Sequence, residues 1–284
     1  RTTRVVQDGE YRLAKNEVLI ENDKRFSTNK VEPYIKQKPN SNLIFGWNPF
    51  LNVYNWGGKS NSFFARLFRK IGTPPVVYEP DKVNASEDNI KRHLEYLGYY
   101  GSVAGSEVNV KRKNVKVTYK VTLGKRFPIK DIHYNVPSGG TFASDFLRDT
   151  GRVLVRRGDW LSEEMLENES QRSSAKMRNL GYYGFSKSHY FFQADTLTDP
   201  GNAILEYRIN EYTRNESEKD ATPIRKFTFN DVVISHPETF KIREKVLRDL
   251  NTIRPGDLYS ENLVNNTYTR LSSLSVLSSV NVDV

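Results

Sequence analysis

Phe127-Pro128-Ile129-Lys130-Asp131-Ile132 returns 100 residues later as Phe227-Thr228-Phe229-Asn230-Asp231-Val232, and this echo organises the reading of the whole chain. At the same offset Phe146-Leu147-Arg148-Asp149 becomes Val246-Leu247-Arg248-Asp249. Gly158-Asp159-Trp160-Leu161-Ser162-Glu163 becomes Gly256-Asp257-Leu258-Tyr259-Ser260-Glu261, 98 residues on. Three blocks in one order at nearly one offset mark an internal repeat. Leu180-Gly181-Tyr182-Tyr183-Gly184 adds a third copy. It has an earlier twin in Leu97-Gly98-Tyr99-Tyr100-Gly101 and a degenerate later one in Leu274-Ser275-Val276-Leu277-Ser278.

Every copy carries one order of elements. Phe127 to Val136 and Phe227 to Ile234 hold β-branched and aromatic residues in short runs closed by Pro137 and Pro237, which suits strands. Phe142, Phe146 and Leu147 have helical spacing, as do Ile242, Val246, Leu247 and Leu250; in the first copy this helix is expected to end near Gln37. The Gly-Asp turn then delivers Ser162 or Ser260 to cap a second helix, with the following Glu at the positive end of its dipole. In the first copy Pro80-Asp81 stands for Gly-Asp and Ser86-Glu87-Asp88 for the cap. Gly98 and Gly181 stop the helix, a place that Ser275 takes in the third copy. Val115, Val117, Tyr119, Val121 and Leu123 alternate with polar residues, as do Ala203, Leu205, Tyr207 and Ile209, so these strands have one buried and one wet face. The prediction is an α+β chain of three tandem β-α-α-β-β domains, each a small mixed three-stranded sheet covered by two helices. Their expected bounds are 1–125, 126–213 and 225–284, the last copy truncated.

An insertion at about 38–82 interrupts the first copy. It is dense in rings: Phe45, Trp47, Phe50, Tyr54, Trp56, Phe63, Phe64, Phe68 and Tyr78. Phe63, Phe64, Leu67, Phe68 and Ile71 have helical spacing with Arg66, Arg69 and Lys70 interleaved, which predicts one short helix. Two readings stand side by side. The rings form a local core, or Trp47, Phe50 and Trp56 form an exposed patch for a partner or a membrane interface.

Composition closes several chemistries. The 284 residues contain no Cys, which removes disulfides, Cys-based zinc sites and thiol nucleophiles. No apolar run approaches the ~20 residues of a membrane-spanning helix. His93, His133, His189 and His236 lie far apart and form no ligand motif. Asp145 and Asp149 are spaced like a catalytic pair, yet the repeat accounts for Asp149 as a structural position. No enzymatic activity, metal or cofactor is expected. A net charge of +9 predicts affinity for an anionic surface, whether nucleic acid, phospholipid or an acidic protein, and charge alone does not choose among them. Lys111-Arg112-Lys113, Lys125-Arg126 and Arg156-Arg157 are scattered over element ends, so no nucleic acid is expected; a basic nucleic-acid-binding protein is the alternative from another class.

The Gly-Asp-x-[Leu/Tyr]-Ser-Glu turn, its helix, Leu-Gly-Tyr-Tyr-Gly and the hairpin resemble POTRA repeats, the periplasmic modules in front of the outer-membrane barrels of the BamA and TamA assembly proteins. Gly256 to Val284 resembles the last such repeat before a barrel. The start, Thr2 to Leu13, together with the insertion, resembles the lipid-anchored TamA-like form, in which a lipidated Cys would precede Arg1. The resemblance implies a non-enzymatic scaffold on the periplasmic side of the outer membrane, with a β-barrel in the same full-length chain. It would receive unfolded outer-membrane proteins and hold envelope assembly subunits. The POTRA region of a two-partner secretion transporter is the alternative within the family. In such folds the strand after the second helix is a sheet edge to which an extended chain can add. That implies partner-binding positions at Val103, Val108 and Val110 within Val103 to Lys111, and at Phe185, Tyr190 and Phe192 within Phe185 to Asp195, beside the candidate patch Trp47, Phe50 and Trp56.

Overall fold

The computed structural model describes residues 3–40, 48–58, 62–236 and 242–284. Two compact units divide the chain, Arg1–Arg126 and Phe127–Val284. Trp47 lies outside the described residues.

In the first unit β1 (Arg12–Ile20) leads through two single 3-10 turns, Thr28–Lys30 and Glu32–Tyr34, to α1 (Pro49–Trp56), α2 (Phe63–Ile71), α3 (Pro80–Tyr96), β2 (Val103–Lys111) and β3 (Asn114–Thr122). β3 is the central strand, parallel to β1 and antiparallel to β2. Its alternate residues Val115, Val117, Tyr119 and Val121 are buried, the pattern of a strand with one covered face. α3 lays Val83, Ile90 and Leu94 on that face, spaced so that they form one helical stripe. Each such side chain contributes about 1.5–3 kcal/mol by leaving water.

The second unit repeats the plan with β4 (Ile129–Asn135), α4 (Phe142–Arg148), α5 (Glu163–Arg178), β5 (Tyr190–Asp195) and β6 (Ala203–Ile209), followed by α6 (Glu244–Leu250) and α7 (Glu261–Ser272). β6 is central, parallel to β4 and antiparallel to β5. The core here is aromatic: Phe142 meets Tyr182 edge-on at 5.0 Å, and Tyr190 meets Tyr207 at 5.8 Å.

The sequence echoes are repeated hydrogen bonds. Around the Gly-Asp turns Gly158 N–H donates to Ile129 O at 2.8 Å, as Gly256 N–H does to Phe229 O at 2.7 Å. Leu161 N–H donates to Phe127 O as Tyr259 N–H does to Phe227 O, both at 2.8 Å. In each turn the Asp carboxylate accepts the amide two residues before the Gly: Asp159 from Arg156 and Asp257 from Arg254, both at 2.9 Å. At the helix stops Gly98 and Gly181 adopt φ of +88° and +104°. The next amide reaches back five residues, Tyr99 to Leu94 and Tyr182 to Met177, which is the Schellman closure.

Six expectations need correction. The first copy has 3-10 turns instead of an α-helix ending near Gln37, and the insertion holds two helices instead of one. Ser86 is not a cap. α3 begins at Pro80 with Glu79 at its N-cap, and buried Ser86 sits mid-helix, accepting Lys36 N–H and donating to Lys82 O. The place of Gly-Asp is therefore taken by Pro75-Val76, because Leu13 N–H bonds Val76 O as Ile129 N–H bonds Asp159 O. Ser162 does cap α5, accepting from Met165 N–H at 3.3 Å, whereas Ser260 donates to Asn179 Oδ1. Lastly, residues 227–234 form no strand beyond one bridge, Thr228 to Leu258. In the complete copies the first strand pairs with a central last strand, and no described residue supplies one beside 227–234. A cavity of about 520 Å³ lies there, lined by Val232, Ile234, Leu247, Leu271, Val280 and Val282 among others.

Candidate partner-binding edges

β2 forms one edge of the first sheet. It joins β3 through the two-residue loop Arg112-Lys113, where Arg112 takes the left-handed φ of +59°. In such a hairpin the flanking pair, Lys111 and Asn114, exchanges hydrogen bonds, and bonded pairs alternate along the ladder. Asn109, Glu107 and Gly105 therefore bond inward to β3, while the N–H and C=O of Val110, Val108, Ser106 and Ala104 point away from it.

The side chains divide the same way. Val108 and Val110 oppose the buried Val117 and Val115 on the core face, yet they are 39% and 50% exposed because the helices cover only the Ala104 end. On the outer face Glu107 pairs with Lys120 at 2.7 Å, and that hydrogen bond holds the Glu107 carboxyl below the usual carboxylate range. Val103 is exposed on this polar face opposite Thr122. A half-apolar strand whose outward main-chain donors and acceptors face no further strand among the described residues is a template for another extended chain.

The β5 edge is different. Phe185 and Tyr190 are core side chains, packed on each other at 5.6 Å and buried, and burial pushes the Tyr190 hydroxyl well above its ordinary value. Phe192 is half-buried against Tyr207 at 4.9 Å. The Arg214 guanidinium donates to the Tyr190 carbonyl at 3.0 Å, and Arg214 N–H bonds Ser188 O at 3.1 Å. Phe191 is flanked by Tyr212 and by Arg214. The chain after β6 thus blunts the start of β5, one of the ways proteins protect edges. The other outer strands are shielded at one end: Val76–Tyr78 runs beside the start of β1, and Asp159–Leu161 beside β4.

Phe50 and Trp56 are exposed on the α1–α2 hairpin, separated in the fold from the β2 positions by membership of different elements. Beside them the structure exposes Phe63, Phe64, Leu67 and Ile71, which the reading from sequence placed on a helix without placing them at the surface. The available signal was the run of basic residues without an acidic one around them.

Among the described residues no group of three or more His, Asp or Glu side chains is placed to hold a metal. Asp145, Asp149 and Glu169 of the second unit work inside the fold. Glu169 is fully buried and accepts from Arg172 at 2.8 and 2.9 Å, from Leu154 N–H at 2.9 Å and from Tyr207 OH at 3.3 Å. Arg172 also donates to Asp149 at 2.7 Å, and the pairing with Glu169 first and Asp149 second holds the guanidinium firmly charged. Asp145 binds Lys226 at 2.6 Å and Tyr182 OH at 2.8 Å; Lys226 is the main cause of its depressed pKa. Asp145 and Asp149 therefore serve two separate structural networks.

The POTRA family model, described as a surface antigen variable number repeat, matches residues 15–124, from within β1 to just past β3. Among solved structures the chain is similar to BamA POTRA3-5 of Haemophilus influenzae, at 15% identity and TM-score 0.49, covering 98% of this chain and 91% of that one. The N-terminal domain of Omp85 from Thermosynechococcus elongatus is similar at 12% identity and TM-score 0.28, with 98% and 91% covered. CdiB from Escherichia coli is similar at 9% identity and TM-score 0.25 over 72% of this chain and 28% of that one. No curated protein matches the chain significantly. The assignment rests on the sequence match and on the strand order that coincides with it. Residues 15–124 of this chain match the POTRA family model, and the sheet, helices and glycine-stopped turn within 127–209 repeat the strand order of that segment.

Proposed function

We propose that this chain is a periplasmic, non-catalytic scaffold of an outer-membrane assembly or translocation protein, and that it receives extended client segments by strand addition along β2. The observation that carries the reading is the outer side of β2, which no other strand covers among the described residues and which carries exposed Val108 and Val110. Main-chain bonding gives affinity with little demand on client sequence, and the two valines favour clients with alternating apolar residues. Unfolded outer-membrane proteins have that alternation. A barrel in the same full-length chain, a lipid anchor before Arg1 and contact of the basic surface with anionic lipid belong to the same proposal and are supported by the resemblance and the charge.

A photo-crosslinker at Val108 tests it, with a urea-diluted outer-membrane barrel protein as client. Strong adducts at Val108, weak ones at Gln193 of β5, and loss of client binding in Val108→Pro are expected. Equal adducts at both edges, or client binding unchanged in Val108→Pro, would refute strand addition at β2.

A further inference from the structure

α2 presents its apolar side to solvent. At about 100° per residue, Phe63, Leu67, Ile71, Phe64 and Phe68 fall in one arc of this helix, while Arg69, Arg66 and Lys70 fall in the opposite one. Ala65 lies between the two arcs and is buried against α1, with Phe68 and Arg69 half-buried on either side of it, so the contact with α1 leaves Phe63, Phe64, Leu67 and Ile71 outside. Phe63 is 70% exposed, Phe64 66% and Ile71 56%. A surface helix ordinarily turns such a face inward. Trp56, 64% exposed at the end of α1, touches Phe68 edge-on at 6.3 Å and extends the patch, and Phe50 is exposed on the same helix. The hairpin itself is firmly built: Leu51 and Asn55 are buried, Asn55 Nδ2 donates to Leu51 O, and Arg69 donates to Gly58 O at 2.8 Å.

Charge identifies the occupant. Between Glu32 and Glu79 the sequence has no Asp or Glu, but it has Lys36, Lys38, Lys59, Arg66, Arg69 and Lys70. We infer that the α1–α2 hairpin is a membrane-interface anchor, which lays Phe63, Phe64, Leu67, Ile71 and Trp56 among the acyl chains of an anionic lipid surface and sets Arg66 and Lys70 at its headgroups. An amphipathic helix with aromatic residues on one side and Lys and Arg on the other binds in the interfacial plane, by buried apolar area plus attraction to anionic lipid. α2 is too short to cross a membrane. The anchor uses no residue of β2, so it stands or falls apart from strand addition.

The test uses the 284-residue protein with vesicles of phosphatidylethanolamine and phosphatidylglycerol, and with neutral phosphatidylcholine vesicles. Binding is read by co-flotation and by the blue shift of tryptophan emission. Flotation with the anionic vesicles, at least about tenfold tighter than with neutral ones, is expected. Phe63→Ser with Phe64→Ser should lower the affinity at least about tenfold. Arg66→Gln with Lys70→Gln should narrow the gap between anionic and neutral lipid while leaving residual binding. Client crosslinking at Val108 should not change in either variant. No flotation with anionic vesicles would overturn the inference, as would a serine variant that floats like the parent. A serine variant that unfolds would overturn it too, since the rings would then belong to the core.

Discussion

Gly181→Ala should uncouple the third copy from the second, and the structure separates the two causes. Gly181 holds φ at +104°, where an alanine is strained by about 1–2 kcal/mol. A Cβ there would also lie 2.8, 2.9 and 3.2 Å from Cδ1, Cγ and Cδ2 of Leu258. All three carbons are in the way, so Leu258 has to leave its place by turning about its Cα–Cβ bond or by shifting, and the lost packing costs up to about 1–3 kcal/mol more. Gly158→Ala supplies the control: its φ is +89° and nothing lies within 4 Å of the added carbon. The expected losses are thus about 1–2 kcal/mol for Gly158→Ala and about 2–5 kcal/mol for Gly181→Ala. Leu258→Ala added to Gly181→Ala should restore about 1–3 kcal/mol, a coupling that a double-mutant cycle isolates. Urea unfolding followed by Trp160 fluorescence, with Trp47 and Trp56 replaced by Phe, reads the second unit. Hydrogen exchange at Phe227, whose N–H bonds Gly181 O at 2.9 Å, should accelerate in Gly181→Ala alone. Equal losses in the two glycine variants, or no coupling to Leu258, would refute a joint built on this contact.

Proline in β2 should distinguish neighbouring residues: Asn109→Pro breaks a ladder bond to β3 and should cost at least about 2 kcal/mol more than Val108→Pro, whose N–H points outward, as thermal unfolding would record. Glu169→Ala leaves the half-buried Arg172 with Asp149 alone and the Leu154 amide and Tyr207 hydroxyl without this acceptor, and should cost about 1–3 kcal/mol in chemical denaturation, while Glu169→Gln keeps an acceptor and costs less. The Asp145 carboxyl binds its proton more weakly in the folded protein than in the unfolded chain. Its contribution is therefore full above its ordinary value of 3.8 and is lost as the pH falls through the lower folded value; Asp145→Asn should flatten that acid limb of the stability curve.

The repeat was legible because a turn is a local object. Gly158-Asp159 and Gly256-Asp257 need a glycine with positive φ and a carboxylate to bind the amide three residues before it, and those demands fall on adjacent residues. The same holds for Gly98 and Gly181, for the alternation in β3 and β6, and for the inward face of α3. Ser86 misled because a serine before acidic residues has the pattern of a cap, and only the packing of α3 shows it inside the helix with Lys36 and Lys82 as partners. Tyr190 misled in another way. Membership of an edge strand follows from topology, but its side chain alternates inward, and the start of the edge is blunted by Arg214 from beyond β6. Which edge stays open depends on what distant segments reach it, and no short stretch of sequence encodes that.

The same division runs through the rest of the molecule. Spacing and residue type suffice for the helix stops, the strand faces and the order of elements in the second copy, since each arises within a few bonds of backbone. Burial is a property of the assembled chain. It makes Glu169 a buried hub, leaves Val108 at a free edge and turns the phenylalanines of α2 outward, because each outcome depends on residues far away in sequence or on their absence.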